Sequence, residues 1–369
     1  MSTVPIDAGA LRARLQRQLE GTYVIERELG GAGSSQVFLA TEISLDRSVV
    51  LKVLPPELTA DVDAERFRRE IQFAAKLQHP HLVPLLSAAF ATVEGDSEQV
   101  RWYSMPYIEG HTLRELLVRR GTPPYAEAIR LLREMALALA YAHARGVVHR
   151  DIKPENVLLN DGIAMISDFG VARALDDASD TALRTGRRVT TVSTVLGTPD
   201  YMSPEQIGSA HVVDHRADLY AFGCVAYELL TGAPPFARPS LRATLAAQLA
   251  DSPVPILHQR PELPPPIAAM VMRCLAKNPA ERPASASWII RAIEGANGTD
   301  ASSEATVVAQ TAPEPPTDAS RVLRRPAAAS APSAHAVVTP AALTVTTRTL
   351  MTGLVVALVA AATLWTVLR

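Results

Sequence analysis

"HRDIKPEN", His149 to Asn156, is the stretch on which the reading of the fold turns. It follows a long helical pattern and precedes a short apolar run, which puts it on a loop between a helix and a strand. Asp151, Lys153 and Asn156 stand close together on it. A loop with these groups can aim a carboxylate at a hydroxyl, an ammonium at a phosphate and an amide oxygen at a cation. A loop that is merely polar needs none of them in this order.

The surroundings strengthen that reading. "SDFG", Ser167 to Gly170, comes soon after and supplies Asp168. Mg²⁺ is commonly held by one or two carboxylates together with substrate phosphates. The triplet says little alone, and more when it lies behind a short strand and downstream of the loop. Upstream, "SVVLKVL" reads as an apolar strand carrying Lys52, and "DAERFRREIQFAAKL" as a helix with Phe67, Ile71, Ala74 and Leu77 on one stripe. "PHLVPLLSAAF" and "VRWYSMPY" return to strand character. After His111 the pattern is helical: "YAEAIRLLREMALALAYAHARG" closed by Gly146, "HRADLYAFGCVAYELLTG" ended by Gly232, then "PPPIAAMVMRCLAKNP" and "SASWIIRAIEG". Leu11, Leu15 and Leu19 predict a short leading helix within residues 1–22. The expected architecture is α+β and bilobal. A strand-rich lobe over 23–105 precedes a helical lobe over 109–295, with a ligand cleft between them.

These motifs, in this order, resemble the eukaryotic-type (Hanks-type) protein kinases, specifically the membrane-anchored serine/threonine kinases of bacteria. The resemblance runs from about Tyr23 to Ile293. It implies ATP and Mg²⁺ as cofactors, with Mn²⁺ as an alternative, and serine or threonine of proteins as acceptor. Lys52 then binds the α and β phosphates and pairs with Glu70 of "FRREI". Asp151 orients the acceptor hydroxyl and takes its proton, and Lys153 neutralises the moving phosphoryl group. Asn156 and Asp168 hold the metal. "YSMPYIEG" is similar to the hinge, with Met105 beside adenine, Pro106 offering its carbonyl and Ile108 its N–H. "GTPDYMSPE" resembles the segment that receives the peptide, Thr198 included, with Glu205 paired structurally to Arg282 of "NPAERP". Thr191 and Thr194 are the expected autophosphorylation sites, since a phosphate there can dock on Arg150. The other class of function is a pseudokinase scaffold, which binds nucleotide or partners without transfer. Such chains typically lack a member of the set Lys52, Glu70, Asp151, Asn156 and Asp168, and here all are in place.

Outside this region the chemistry thins. A net charge of -2 offers no argument for a nucleic-acid partner. Cys224 and Cys274 fall within apolar helical patterns and read as buried thiols. Residues 296–348 are rich in Ala, Pro, Ser and Thr and read as a flexible tether, whose roughly 50 residues reach some tens of ångströms. Leu350 to Leu368, "LMTGLVVALVAAATLWTVL", is uncharged and about 19 residues long, enough for a transmembrane helix within 349–368. Arg321, Arg324, Arg325 and Arg348 precede it and only Arg369 follows, which predicts a single-pass membrane protein with a cytoplasmic main body. Tethering in the membrane plane raises local concentration, so pairing of two chains as a homodimer is a further expectation.

"LGGAGSSQV", Leu29 to Val37, reads as a phosphate-binding loop with substitutions. Leu29 and Gly30 start the motif and Val37 ends it. Gly31, Gly33 and Ser34 lie within it, and Ala32 and Ser35 stand where glycines are usual. Val37, Leu39 and, on the next strand, Val50 would then cover adenine. An unfavourable φ at Ala32 costs on the order of 1 kcal/mol, which leaves a working lid with weaker ATP affinity. Replacing both Ala32→Gly and Ser35→Gly is expected to lower the Michaelis constant for ATP, measured by initial rates; an unchanged constant would show that the substitutions cost nothing.

Overall fold

The computed structural model describes residues 8–30, 36–54, 71–92, 99–169, 199–208 and 213–296. Helix α1 (Ala8–Gln18) leads into five strands: β1 (Tyr23–Gly30), β2 (Gln36–Glu42), β3 (Arg47–Leu54), β4 (Ser87–Thr92) and β5 (Gln99–Pro106). They form one antiparallel sheet in the order β1-β2-β3-β5-β4.

Strand periodicity divides this sheet into two faces. The register sets Val37 opposite Lys52 and Leu39 opposite Val50. It also sets Lys52 opposite Tyr103 and Val50 opposite Met105. The rows Val37–Lys52–Tyr103 and Leu39–Val50–Met105 therefore cross one face. Phe38, Ala40, Val49, Leu51, Val53 and Trp102 build a core on the other, and there α1 inserts Leu11 and Leu15, with Leu19 just past its end. Gln16 secures it by accepting from the Ile25 N–H and donating to the Tyr23 carbonyl at 2.7 and 3.1 Å.

The large lobe begins with β6 (His111–Thr112) and α2 (Leu113–Arg120), whose start is closed by a reciprocal capping box between Thr112 and Glu115. Next come α3 (Tyr125–His143), β7 (Val157–Asn160) and β8 (Ile163–Ile166), then α4 (Pro204–Ile207) and α5 (Arg216–Thr231). The last elements are α6 (Leu241–Ala250), α7 (Ile256–Gln259), α8 (Pro265–Cys274) and α9 (286–296). Strands β6, β7 and β8 form a second small antiparallel sheet. Helix α5 is buried on nearly every side, as expected of a helix apolar all round. At Gly223 a Cβ would lie 2.7 Å from the Cys274 Cβ, so only glycine lets α5 and α8 come this close. Both cysteines are free and buried, and burial raises their pKa values, that of Cys274 to about 12.

One sequence expectation is corrected. "PHLVPLLSAAF" is a strand only from Ser87: Pro84 has no N–H for a ladder, and the segment before it makes a single bridge, Leu82 to Ile166. Helix α3 is closed by Gly146 as expected: its φ is 73, its N–H meets the His143 carbonyl at 3.0 Å and the Val147 N–H turns back to the Ala142 carbonyl at 3.1 Å. The leading helix, the strand-rich lobe and the helical lobe appear as expected. Among the described residues no helix is long and apolar enough to cross a membrane. The tether and Leu350 to Leu368 lie outside them, as do Gly31, Ala32, Gly33, Ser34, Ser35, Glu70, Thr191, Thr194 and Thr198.

Leu15 is fully buried between α1 and the sheet. Leu15→Ala is expected to lower stability by about 2–5 kcal/mol, read from denaturant midpoints, and a loss below about 0.5 kcal/mol would show that α1 is not part of the folded core.

Candidate active site

The His149–Asn156 stretch leaves the end of α3 and closes in one tight helical turn, Pro154–Asn156, before β7. Its backbone is held from beneath by Asp218 of α5. Oδ2 of Asp218 accepts the His149 N–H at 2.8 Å and Oδ1 the Arg150 N–H at 2.7 Å. His143 Nε2 reaches Oδ2 at 2.7 Å. Burial opposes a charge on Asp218, but the bonds from His143 and the His149 N–H outweigh it and hold the carboxyl below its usual range. Arg150 adopts φ 69, a left-handed conformation that a non-glycine residue keeps only when its neighbours demand it. Its carbonyl accepts from Gln206 Nε2 at 2.8 Å, and its guanidinium donates to the Val213 carbonyl at 3.4 Å.

On this frame the polar groups converge. Lys153 Nζ lies 2.9 and 2.7 Å from the two carboxylate oxygens of Asp151. Asn156 Nδ2 donates to the Asp151 carbonyl at 2.8 Å and to its Oδ2 at 2.9 Å. Both partners are acceptors, so the amide must present its NH₂ to them, and its oxygen is left as an acceptor for another group. The Asp151 side chain is 43% exposed and so remains open to a substrate, whereas that of Lys153 is 11% exposed.

His149 links this loop to the next. Its Nδ1 accepts the Asp151 N–H at 3.1 Å, so Nε2 carries the proton and donates to the Ser167 carbonyl at 2.7 Å. Phe169 packs edge-on to the His149 ring, centroids 4.5 Å apart, inside the large-lobe core. Asp168, between them, has φ 65 and turns toward the small lobe. Its Oδ2 accepts from Lys52 Nζ at 3.0 Å and its Oδ1 from the Tyr103 hydroxyl at 2.5 Å. Burial works to raise the Asp168 pKa, but the Lys52 ammonium and the Tyr103 bond prevail, and the net shift is downward. The carboxylate is therefore anionic. With the Asn156 amide oxygen it makes a hard-oxygen donor set, too small to cage a cation alone but suited to Mg²⁺ that shares its coordination with phosphates. Among the described residues there is no cluster of three or more His, Cys, Asp or Glu that would hold a metal unaided.

Other expected residues fall in place around this centre. Leu29 and Gly30 end β1, with Gly30 opposite Val37. Met105 faces Val50, Pro106 ends β5 and Ile108 follows it. Arg282 Nη1 and Nη2 donate to the two oxygens of Glu205 at 2.6 and 2.8 Å, and the same guanidinium serves the carbonyls of Arg216, Ala276 and Lys277. Sequence reading passed over two residues. Asp218 had a signal, as the lone acid near the start of an apolar helix. Tyr103 had none short of the strand register. A third cluster was also unforeseen: Arg114 of α2 bridges Glu155 and Glu228 at 2.7 and 2.6 Å and donates to the Tyr201 hydroxyl.

The description "Protein kinase domain" matches residues 23–291. The chain is 38% identical over 268 residues to serine/threonine-protein kinase PknB of Mycolicibacterium smegmatis, covering 72% of this chain and 41% of that protein. It is 36% identical over 272 residues to serine/threonine-protein kinase pkn3 of Myxococcus xanthus, covering 72% and 48%. PknB of Mycobacterium leprae is 36% identical over 266 residues, covering 72% and 41%. The chain thus matches less than half the length of these curated relatives.

The Arg282 side chain is fully buried against Glu205. Glu205→Gln is expected to cost about 3–5 kcal/mol in urea unfolding, because it strands a buried cation; a loss under about 1 kcal/mol would mean that the backbone carbonyls alone satisfy Arg282.

Proposed function

The chain belongs to the protein kinase family, and we propose that it is an active serine/threonine protein kinase that transfers the γ-phosphoryl group of ATP to protein hydroxyls. The observation that carries this reading is the convergence of Asp151, Lys153 and Asn156 on one braced loop, with Lys52 and Asp168 joined across the cleft. Phosphoryl transfer asks for positioning and charge neutralisation more than for a strong nucleophile, and this set supplies both.

Asp151 accepts a hydrogen bond from the serine or threonine hydroxyl and takes its proton as the oxygen–phosphorus bond forms. The bond between the γ-phosphorus and the β-γ bridging oxygen breaks, and ADP leaves with that oxygen. Lys153 starts paired to Asp151 and is placed to follow the negative charge onto the phosphoryl group. Lys52 holds the α and β phosphates, and Glu70 is its expected partner on the small-lobe helix. Asp168 and the Asn156 amide oxygen would hold Mg²⁺, which neutralises phosphate charge when bound. Val37, Leu39, Val50 and Met105 form the apolar rows against which adenine would rest, with the Pro106 carbonyl and Ile108 N–H at its edge.

Further parts of the reading rest on sequence. Residues 349–368 would anchor the chain in the cell membrane with residues 23–295 on the cytoplasmic side, and 296–348 would be the tether. Thr191 and Thr194 would receive phosphate from a second copy or from the same chain, docking on Arg150, and Thr198 would line the peptide groove. Protein substrates are the partners, and pairing of two chains in the membrane plane is the route to activation.

Radiolabel transfer from ATP to a generic basic protein tests the activity. Asp151→Asn is expected to lower it by about 10²–10⁴-fold and to leave Thr191 and Thr194 unphosphorylated when the chain is made without other kinases. Wild type and Asp168→Ala giving equal signal would instead support a scaffold that binds nucleotide without transfer.

A further inference from the structure

Tyr103 opens the hinge stretch "YSMPYIEG" but was given no role in it, yet its hydroxyl ends at the centre of the site. The ladder pairs Tyr103 of β5 directly with Lys52 of β3, so both side chains rise from the same face of the sheet. They meet on one carboxylate, with Lys52 Nζ 3.0 Å from Oδ2 of Asp168 and the Tyr103 hydroxyl 2.5 Å from Oδ1. Tyr103 is 1% exposed and is among the largest fully buried side chains. A phenylalanine would fill the same space. What the hydroxyl adds is the bond to Oδ1, made deep in the protein, where it has no water to exchange with.

Asp168 needs outside support. Its φ of 65 is a backbone conformation that L-residues with side chains rarely keep, so local preference does not aim its carboxylate. Lys52 brings an ammonium on a long, flexible stem, which fixes a point but not a plane. Tyr103 brings a donor on a rigid ring with two side-chain torsions, and it takes the other oxygen. Two donors on two oxygens fix the carboxylate plane. The Ser167 hydroxyl, 3.3 Å from Oδ2, is a third and longer contact. An ionised carboxylate offers about four lone-pair directions, so Oδ2 already faces two donors and Oδ1 keeps one direction free.

We infer that Tyr103 is a positioning residue for the divalent cation: its hydroxyl holds Oδ1 of Asp168 so that the free lone pair of that oxygen meets the ion carried by the nucleotide. The inference rests on the reading of Asp168 as a metal ligand. It acts through Asp168 alone, and hydrogen-bonding partners of this kind are typically worth 10–100-fold in metal affinity.

The test is calorimetric titration of the full chain with a non-hydrolysable ATP analogue, once in EDTA and once with Mn²⁺, for wild type, Tyr103→Phe and Asp168→Ala. Tyr103→Phe is expected to bind the analogue like wild type in EDTA and to lose on the order of tenfold of the affinity gained with Mn²⁺. Asp168→Ala is expected to lose most of that gain. If Tyr103→Phe keeps the full gain while Asp168→Ala loses it, the role of Tyr103 is overturned and the metal-ligand reading survives. If Asp168→Ala keeps the gain, both fall. Equal weakening of Tyr103→Phe with and without Mn²⁺ would mark it as a packing residue and also overturn the inference.

Discussion

The carboxylate of Asp218 carries the site. It is buried in α5, the most enclosed helix of the large lobe, and it accepts two consecutive backbone N–H groups, those of His149 and Arg150. For two neighbouring amides to point at one anion the chain must turn sharply, and the left-handed φ of Arg150 is that turn. The strain is repaid by charge-assisted bonds in a place where water cannot compete. Once the turn is set, Asp151 leaves the loop in a fixed direction, and Lys153 and Asn156 close around it. The His149 ring then transmits the constraint to Ser167, whose neighbour Asp168 faces the small lobe.

The small lobe answers with register. Seven consecutive pairs join β2 to β3 and six join β3 to β5, so a shift of one residue would move Lys52 to the opposite face. The apolar alternation prevents that slip, because Val49, Leu51 and Val53 must stay against α1 and its leucines. A helix on the back of the sheet thereby helps to hold Lys52 over Asp168 on the front. The two lobes meet at that ion pair, the less exposed of whose partners is Asp168.

Much of this was legible in the sequence where chemistry and local pattern coincide. The order of "VVLKV", "HRDIKPEN" and "SDFG" pointed to Lys52, Asp151, Lys153, Asn156 and Asp168, and the structure brings these five together. The leading helix was readable from three leucines at helical spacing. What was hidden depends on contacts distant in sequence. Tyr103 looks like any strand aromatic until β3 is aligned with β5. The anchoring role of Asp218 joins positions about 70 residues apart, which no periodicity reports. The overlong strand before Ser87 came from apolar residues that make only one bridge, Leu82 to Ile166, with Pro84 the overlooked warning. Arg114 drew no reading from the sequence; it is held among Glu155, Glu228 and Tyr201, and only the folded chain shows it.

If the buried carboxylate sets the geometry of the loop, its charge can be removed with almost no change of shape, and the site should lose its aim. The direct measurement is the turnover number of Asp218→Asn for phosphoryl transfer, taken beside its affinity for ATP. The account predicts a fall in turnover of about 10²-fold, the usual consequence of misplacing a reacting group by an ångström, with ATP affinity retained because Lys52 and the apolar rows of the small lobe are untouched. A folded Asp218→Asn protein that turns over at the wild-type rate would contradict it.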